Sequence, residues 1–165
     1  MENQSIYPSQ FHKLPVTGQI FIWSIRHLVY AKRMDQDLCP HVGMTFQAAG
    51  LNNAVPIIEN LLQSISDAAI SSVSFNFPDG SELVSDEQCL AAYLNNKLTR
   101  PERCACHFLK NMLKPSSMGL VVSHFNSVAR LMSQFSRPKQ KQPVINHASK
   151  ANPPTPATNK TYTLH

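Results

Sequence analysis

Cys39 and His41 in one place, and Cys104, Cys106 and His107 in another, are the residues whose types and spacing come nearest to chemistry. Thiolate and imidazole are the ligands of tetrahedral zinc. The spacings here are Cys-x-His and Cys-x-Cys-His, not the C-x₂₋₄-C pairs of structural zinc sites. On a helix, Cys104 and Cys106 point about 200° apart. Cys104 with His107 is the better pair, at i and i+3. A zinc-binding sensor or enzyme built on Cys39, His41, Cys104 and His107 is therefore one reading, and core thiols with a surface histidine are the plainer one. Cys104 also stands between Arg103 and His107 near an expected helix start, a setting that lowers a thiol pKa. A nucleophile needs a base positioned in space, however, and adjacency in sequence does not supply one.

Other catalytic patterns are missing. The chain contains no G-x-S-x-G, P-loop, G-x-G-x-x-G or H-E-x-x-H run. Its Asp and Glu residues are dispersed and mostly fall at expected helix starts, where capping and the helix dipole account for them. The missing patterns lean against an enzyme without settling it, and imply no cofactor, zinc apart.

The elements that must position these residues read as helices. Ile57, Ile58, Leu61, Leu62 and Ile65 recur at spacings of three and four, so residues 54–69 form a core helix with Pro56 in its first turn. An earlier helix should start near Thr17 as N-cap, after Pro15. Phe21, Ile25, Leu28 and Val29 make its stripe, Ile22 and Trp23 widen it, and Arg26, Lys32 and Arg33 edge its polar side. Pro40 to Ala49 reads as a short helix ended by Gly50. Residues 72–77 alternate polar and apolar, the period of a strand. The run has no evident partner, so it is read as an extended linker before a turn at Pro78-Asp79-Gly80.

Ser85-Asp86-Glu87-Gln88 matches a capping box that starts another helix, and Thr99-Arg100-Pro101-Glu102 matches a second. The helix after the second box should present Ala105, Phe108, Leu109, Met112 and Leu113. A last helix after Pro115-Ser116-Ser117 carries an apolar face from Leu120 to Phe135. Only five glycines favour helices over an all-β protein full of tight turns. The reading is all-α: a compact bundle of five or six helices over 17–135, with one short extended segment. It is flanked by a flexible arm at 1–16 and a disordered, basic, proline-containing tail at 136–165.

Charge is unevenly spread along the 165 residues. Residues 1–102 hold all ten acidic groups against six Lys and Arg, a net −4, while 103–165 hold nine Lys and Arg and no acid, a net +9. Arg137, Lys139, Lys141 and Lys150 in the tail are the candidate contacts to nucleic acid or another anion. Against base reading, a helix-turn-helix over 40–65 would have a recognition helix with no Lys or Arg before Lys97. No apolar run approaches the roughly 20 residues that cross a bilayer, and the N-terminus has no basic region leading into an apolar one. The expected setting is the reducing cytoplasm, with Cys39, Cys89, Cys104 and Cys106 as free thiols.

The order of elements resembles a group of small, mostly helical, uncharacterised proteins of alphaproteobacteria. The residues that carry the resemblance are Trp23 and Arg26 in the first helix, Cys39-Pro40, Ala48-Ala49-Gly50, Pro78-Asp79-Gly80 and Ser85-Asp86-Glu87. It covers residues 17–135. Those proteins often carry a cysteine-bearing loop where this chain has Phe75 to Ser85, and the loop here has no cysteine. The resemblance implies a bacterial source and no particular activity. The functional expectation is a noncatalytic interaction or regulatory module that binds another macromolecule, most simply another protein. The alternative is a nucleic-acid-binding protein that uses the basic C-terminal third.

Overall fold

The structure is a computed structural model, and it describes residues 8–36, 40–101 and 105–135. Among the described residues, five α-helices make the domain: α1 (Val16–Arg33), α2 (Pro40–Ala48), α3 (Ala54–Ala68), α4 (Ser85–Thr99) and α5 (Met118–Phe135). Single turns of 3₁₀ helix stand at Phe11–Lys13, Cys106–Phe108 and Pro115–Ser117, and the described residues contain no strand. The protein is an all-α bundle.

The longest seam is α3 against α5, and α1 and α4 close the other side. From α3, Ile58, Leu61 and Ile65 are buried; from α5, Val121, Phe125, Val128 and Met132 meet them. Their three-and-four spacing is the physical reason both segments are helices: each stripe leaves water only when it meets the other. Three aromatic rings join the layers. Phe125 of α5 lies 6.0 Å from Phe21 of α1 and 4.6 Å from Tyr93 of α4, both tilted, so neither pair is the face-to-face sandwich that ring quadrupoles disfavour.

Gly50 ends α2 as expected. Its φ of +76° admits the left-handed turn. The Leu51 N–H then reaches back to the Phe46 carbonyl at 2.8 Å, and the Gly50 N–H to Gln47 at 3.0 Å. These two bonds satisfy carbonyls that the helix end leaves bare.

Several local expectations are corrected. Helix α1 begins at Val16 with Pro15 in the capping position, not Thr17. No side chain caps it; the Gln19 amide instead ties the entering chain to the first turn by donating to the Leu14 carbonyl at 2.8 Å. Helix α4 does not use Ser85 with Gln88. Its capping position is Val84, whose N–H donates to the Glu87 carboxylate at 3.1 Å.

No α-helix spans 105–113. A 3₁₀ turn and further turns take its place, and Glu102 of the expected box lies outside the described residues. The apolar residues chosen there, Ala105, Leu109, Met112 and Leu113, are nonetheless buried. They pin a short return from α4 to α5. The Ile70 N–H donates to Met112 O at 2.9 Å and the Lys114 N–H to Ala68 O at 2.8 Å, tying this return to the end of α3.

Of the arm expected at 1–16, residues 8–16 belong to the folded unit. The Phe11 N–H donates to Ser81 O at 2.9 Å, the Leu83 N–H to Ser9 O at 2.8 Å, and Leu14 is buried. Residues 1–7 and the tail at 136–165 lie outside the described residues. No helix of the described residues is long and apolar enough to cross a membrane.

Candidate functional site

The residues singled out for chemistry are mostly beyond view. Cys39, Cys104, Arg137, Lys139, Lys141 and Lys150 lie outside the described residues, as does the side chain of His41. His107 is exposed, with its ring against Phe108 at a centroid distance of 4.0 Å. Among the described residues, no three His, Cys, Asp or Glu side chains gather to hold a metal ion. Cys89 is a half-buried free thiol on α4. Burial, and behind it the Asp86 carboxylate, push its pKa up, so it is a poor nucleophile at neutral pH.

The charged cluster that the sequence did not single out is Arg26 with Glu87. Arg26 is not on a polar face: it is 1 % exposed and Glu87 is 0 % exposed. The guanidinium meets the carboxylate through two bonds, Nε to Oε1 at 2.7 Å and the second terminal nitrogen to Oε2 at 2.8 Å. Its remaining bonds go to the Gly80 and Glu82 carbonyls, the latter at 2.6 Å. The carboxylate in turn accepts the N–H groups of Asn76 and Val84, each at 3.1 Å. The Phe11 ring lies 5.4 Å from the guanidinium carbon.

Two ions are affordable inside a protein only when paired and fully hydrogen-bonded, and here the partners are the backbone of the 76–84 loop. Both carboxylate oxygens and four of the five guanidinium N–H groups are bonded within the protein, and the cluster positions the loop.

What the loop borders is an open groove of about 890 Å³. One wall is the C-terminal half of α1, with Leu28, Val29, Lys32 and Arg33. The other is the outer face of α3, with Glu59, Leu62, Gln63 and Ser66. Residues 71–73 and Phe75 close it. A second hollow of about 240 Å³ shares Val29, Arg33 and Phe75 with the first and continues over Tyr30, Met34 and Phe77. Phe77 is 73 % exposed and Met34 52 %. The walls are largely apolar and the rim carries both charges, and among the described residues lining it no nucleophile stands beside a base.

The extended run beside the groove has two unlike edges. Along an extended chain, the N–H and C=O groups of successive residues point to opposite sides. The Ser74 N–H donates to the Asp86 carboxylate at 2.7 Å and the Asn76 N–H to Glu87, so this edge is held by the start of α4. The Val73 and Phe75 N–H groups have no hydrogen-bond partner among the described residues. They form the other edge, on residues that line the groove. The alternation at 72–77 was visible in the sequence; what the two edges bind was not.

No family model, curated protein or solved structure matches the chain.

Proposed function

We propose that this chain is a noncatalytic interaction module that binds another protein along the groove between α1, α3 and residues 71–75. The observation that supports the reading is the groove itself: a large open concavity with Leu28, Val29, Leu62 and Phe75 in its walls and no assembled reactive group. Contiguous apolar surface on a soluble domain marks interaction sites. Gln63 and Ser66 are exposed on the groove face of α3, so Gln63→Arg with Ser66→Arg fills the groove without cost to the core. In a pull-down from cell extract, this double variant loses the captured protein while its circular dichroism is unchanged. An identical set of captured proteins removes the groove from the reading. A catalytic turnover that dies with Cys104→Ser refutes the noncatalytic reading altogether.

A second reading, nucleic-acid binding, is favoured by one observation: residues 103–165 carry nine Lys and Arg and no acid. It predicts a mobility shift of nucleic acid that weakens with salt and disappears when residues 136–165 are deleted. No shift at low salt removes it.

A further inference from the structure

We infer that the free edge at Val73 and Phe75 is a pairing edge for a second copy of this chain, making a two-fold antiparallel contact across the groove. The inference rests on the interaction-module reading and names the partner that the groove takes.

Three features of the surface select a second copy over other occupants. The first is the edge. A row of unpaired N–H and C=O groups is a template for another strand, and proteins usually blunt it with charge, proline or a bulge. Residues 71–77, Ser-Ser-Val-Ser-Phe-Asn-Phe, contain no charge and no proline. An antiparallel partner of the same sequence is its own complement: with the two-fold axis at Ser74, Val73 of one copy faces Phe75 of the other, and each pair exchanges both backbone bonds.

The second is the pair of apolar ends. Ile70 is 56 % exposed and Phe77 73 %, one at each end of the stretch. With the axis at Ser74, Phe77 of one copy faces Ser71 of the other, one residue from Ile70, so the pairing brings exposed apolar surface of both copies to each of its ends.

The third is charge. The groove rim carries Lys32 and Arg33 against Asp35 and Glu59, and none of the four has an ion-pair partner among the described residues. A surface with one sign of charge would repel its own copy. A rim balanced two against two is complementary to itself when rotated.

The test is sedimentation velocity on the purified full-length chain, from low to high micromolar concentration. The monomer mass is 18.4 kDa, and the expected result is a reversible shift toward twice that mass. Ile70→Glu with Phe77→Glu, both at exposed positions, is expected to weaken dimerisation at least about tenfold while the helical spectrum stays unchanged; tenfold corresponds to about 1.4 kcal/mol. Amide exchange gives a second, local readout. Protection at Val73 and Phe75 should rise with concentration, while protection at Ser74 and Asn76 should not depend on it.

A chain that stays monomeric at every concentration overturns the inference, as does a dimer that survives the double variant. A monomer that still loses a captured protein on Gln63→Arg with Ser66→Arg removes the dimer and leaves the interaction module standing. A dimer whose purified chain also turns over a substrate has the reverse effect.

Discussion

The two edges of residues 71–77 belong to one stretch of chain and have opposite fates. The inner edge, Ser74 and Asn76, is bound to the Asp86 and Glu87 carboxylates at the start of α4. The outer edge, Val73 and Phe75, has no partner among the described residues. Local sequence separates the edges, polar Ser74 and Asn76 on one and apolar Val73 and Phe75 on the other, but it does not say which edge is held. That comes from where the buried charge lies. Glu87 is fixed by Arg26, and a fixed carboxylate in the interior draws backbone donors to it. Rigidity on one side is what allows an edge to stand open on the other without collapsing.

The most severe way to break this contrast is to remove the charge pair. Glu87→Ala leaves Arg26 buried and unpaired, and should cost about 3–5 kcal/mol in urea denaturation. A sharper version replaces both ions. In a simple buried pair, well-packed apolar residues in both places are often neutral or stabilising. Here Arg26→Met with Glu87→Met would also orphan three backbone groups, the N–H of Asn76 and Val84 and the carbonyl of Gly80, while the Glu82 carbonyl keeps the Asn76 side-chain amide. The double variant is therefore expected to remain destabilised by several kcal/mol, at about 1–3 kcal/mol for each unsatisfied group that water fails to reach. A double variant as stable as the parent would show that the loop bonds contribute nothing and that the cost of Glu87→Ala is that of an unpaired buried charge.

The next effect in size lies in the turn that brings the inner edge to Glu87. A Cβ on Gly80 would stand 2.6 Å from the Asn76 side-chain nitrogen. That amide is not free to swing away: it donates to Glu82 O at 3.0 Å and accepts the Phe77 N–H at 2.8 Å. Gly80→Ala should cost about 1–3 kcal/mol, as overpacking does. Smaller again is Asp86→Ala, which removes the acceptor of an exposed bond. It should cost about 1 kcal/mol and raise amide exchange at Ser74 while leaving exchange at Val73 as it was.

How much of this was legible in the sequence depends on the range of the interaction. Helices α2, α3 and α5 were readable because their signals are local: the stripes repeat every three or four residues, and Gly50 permits a turn that few residues adopt. The segment at 105–113 was half readable. Its apolar residues are buried as expected, but hydrophobicity fixes what goes inside and not the backbone that carries it there.

Arg26 was misplaced on a polar face because a charge is ordinarily a surface residue. The available hint was positional: Arg26 stands four residues after Ile22 and next to Ile25, within the apolar stripe. Glu87, likewise, precedes Leu90 and Ala91 by three and four residues. Two charges each set in an apolar face suggest each other as partners, yet the pairing joins positions 61 apart, and nothing in a single sequence fixes such a distance. The open groove was not legible at all, since it is the space left where two helices and a strand-like run fail to meet.

The smallest expected effect tests the exposed ring at the end of the run. Phe77 points into solvent, so Phe77→Ser should change the stability of the isolated monomer by no more than about 0.5 kcal/mol, measured in urea at low protein concentration. If residue 77 were an inner-edge residue in disguise, packed where exposure conceals its contacts, the loss would be severalfold larger. The same substitution repeated at high concentration isolates what the ring does between molecules. Mass action adds stability to whatever binds only the folded state, so the parent should gain stability as concentration rises and Phe77→Ser should gain less. Equal gains in the two proteins would place the association elsewhere on the surface and leave the open edge without the partner assigned to it.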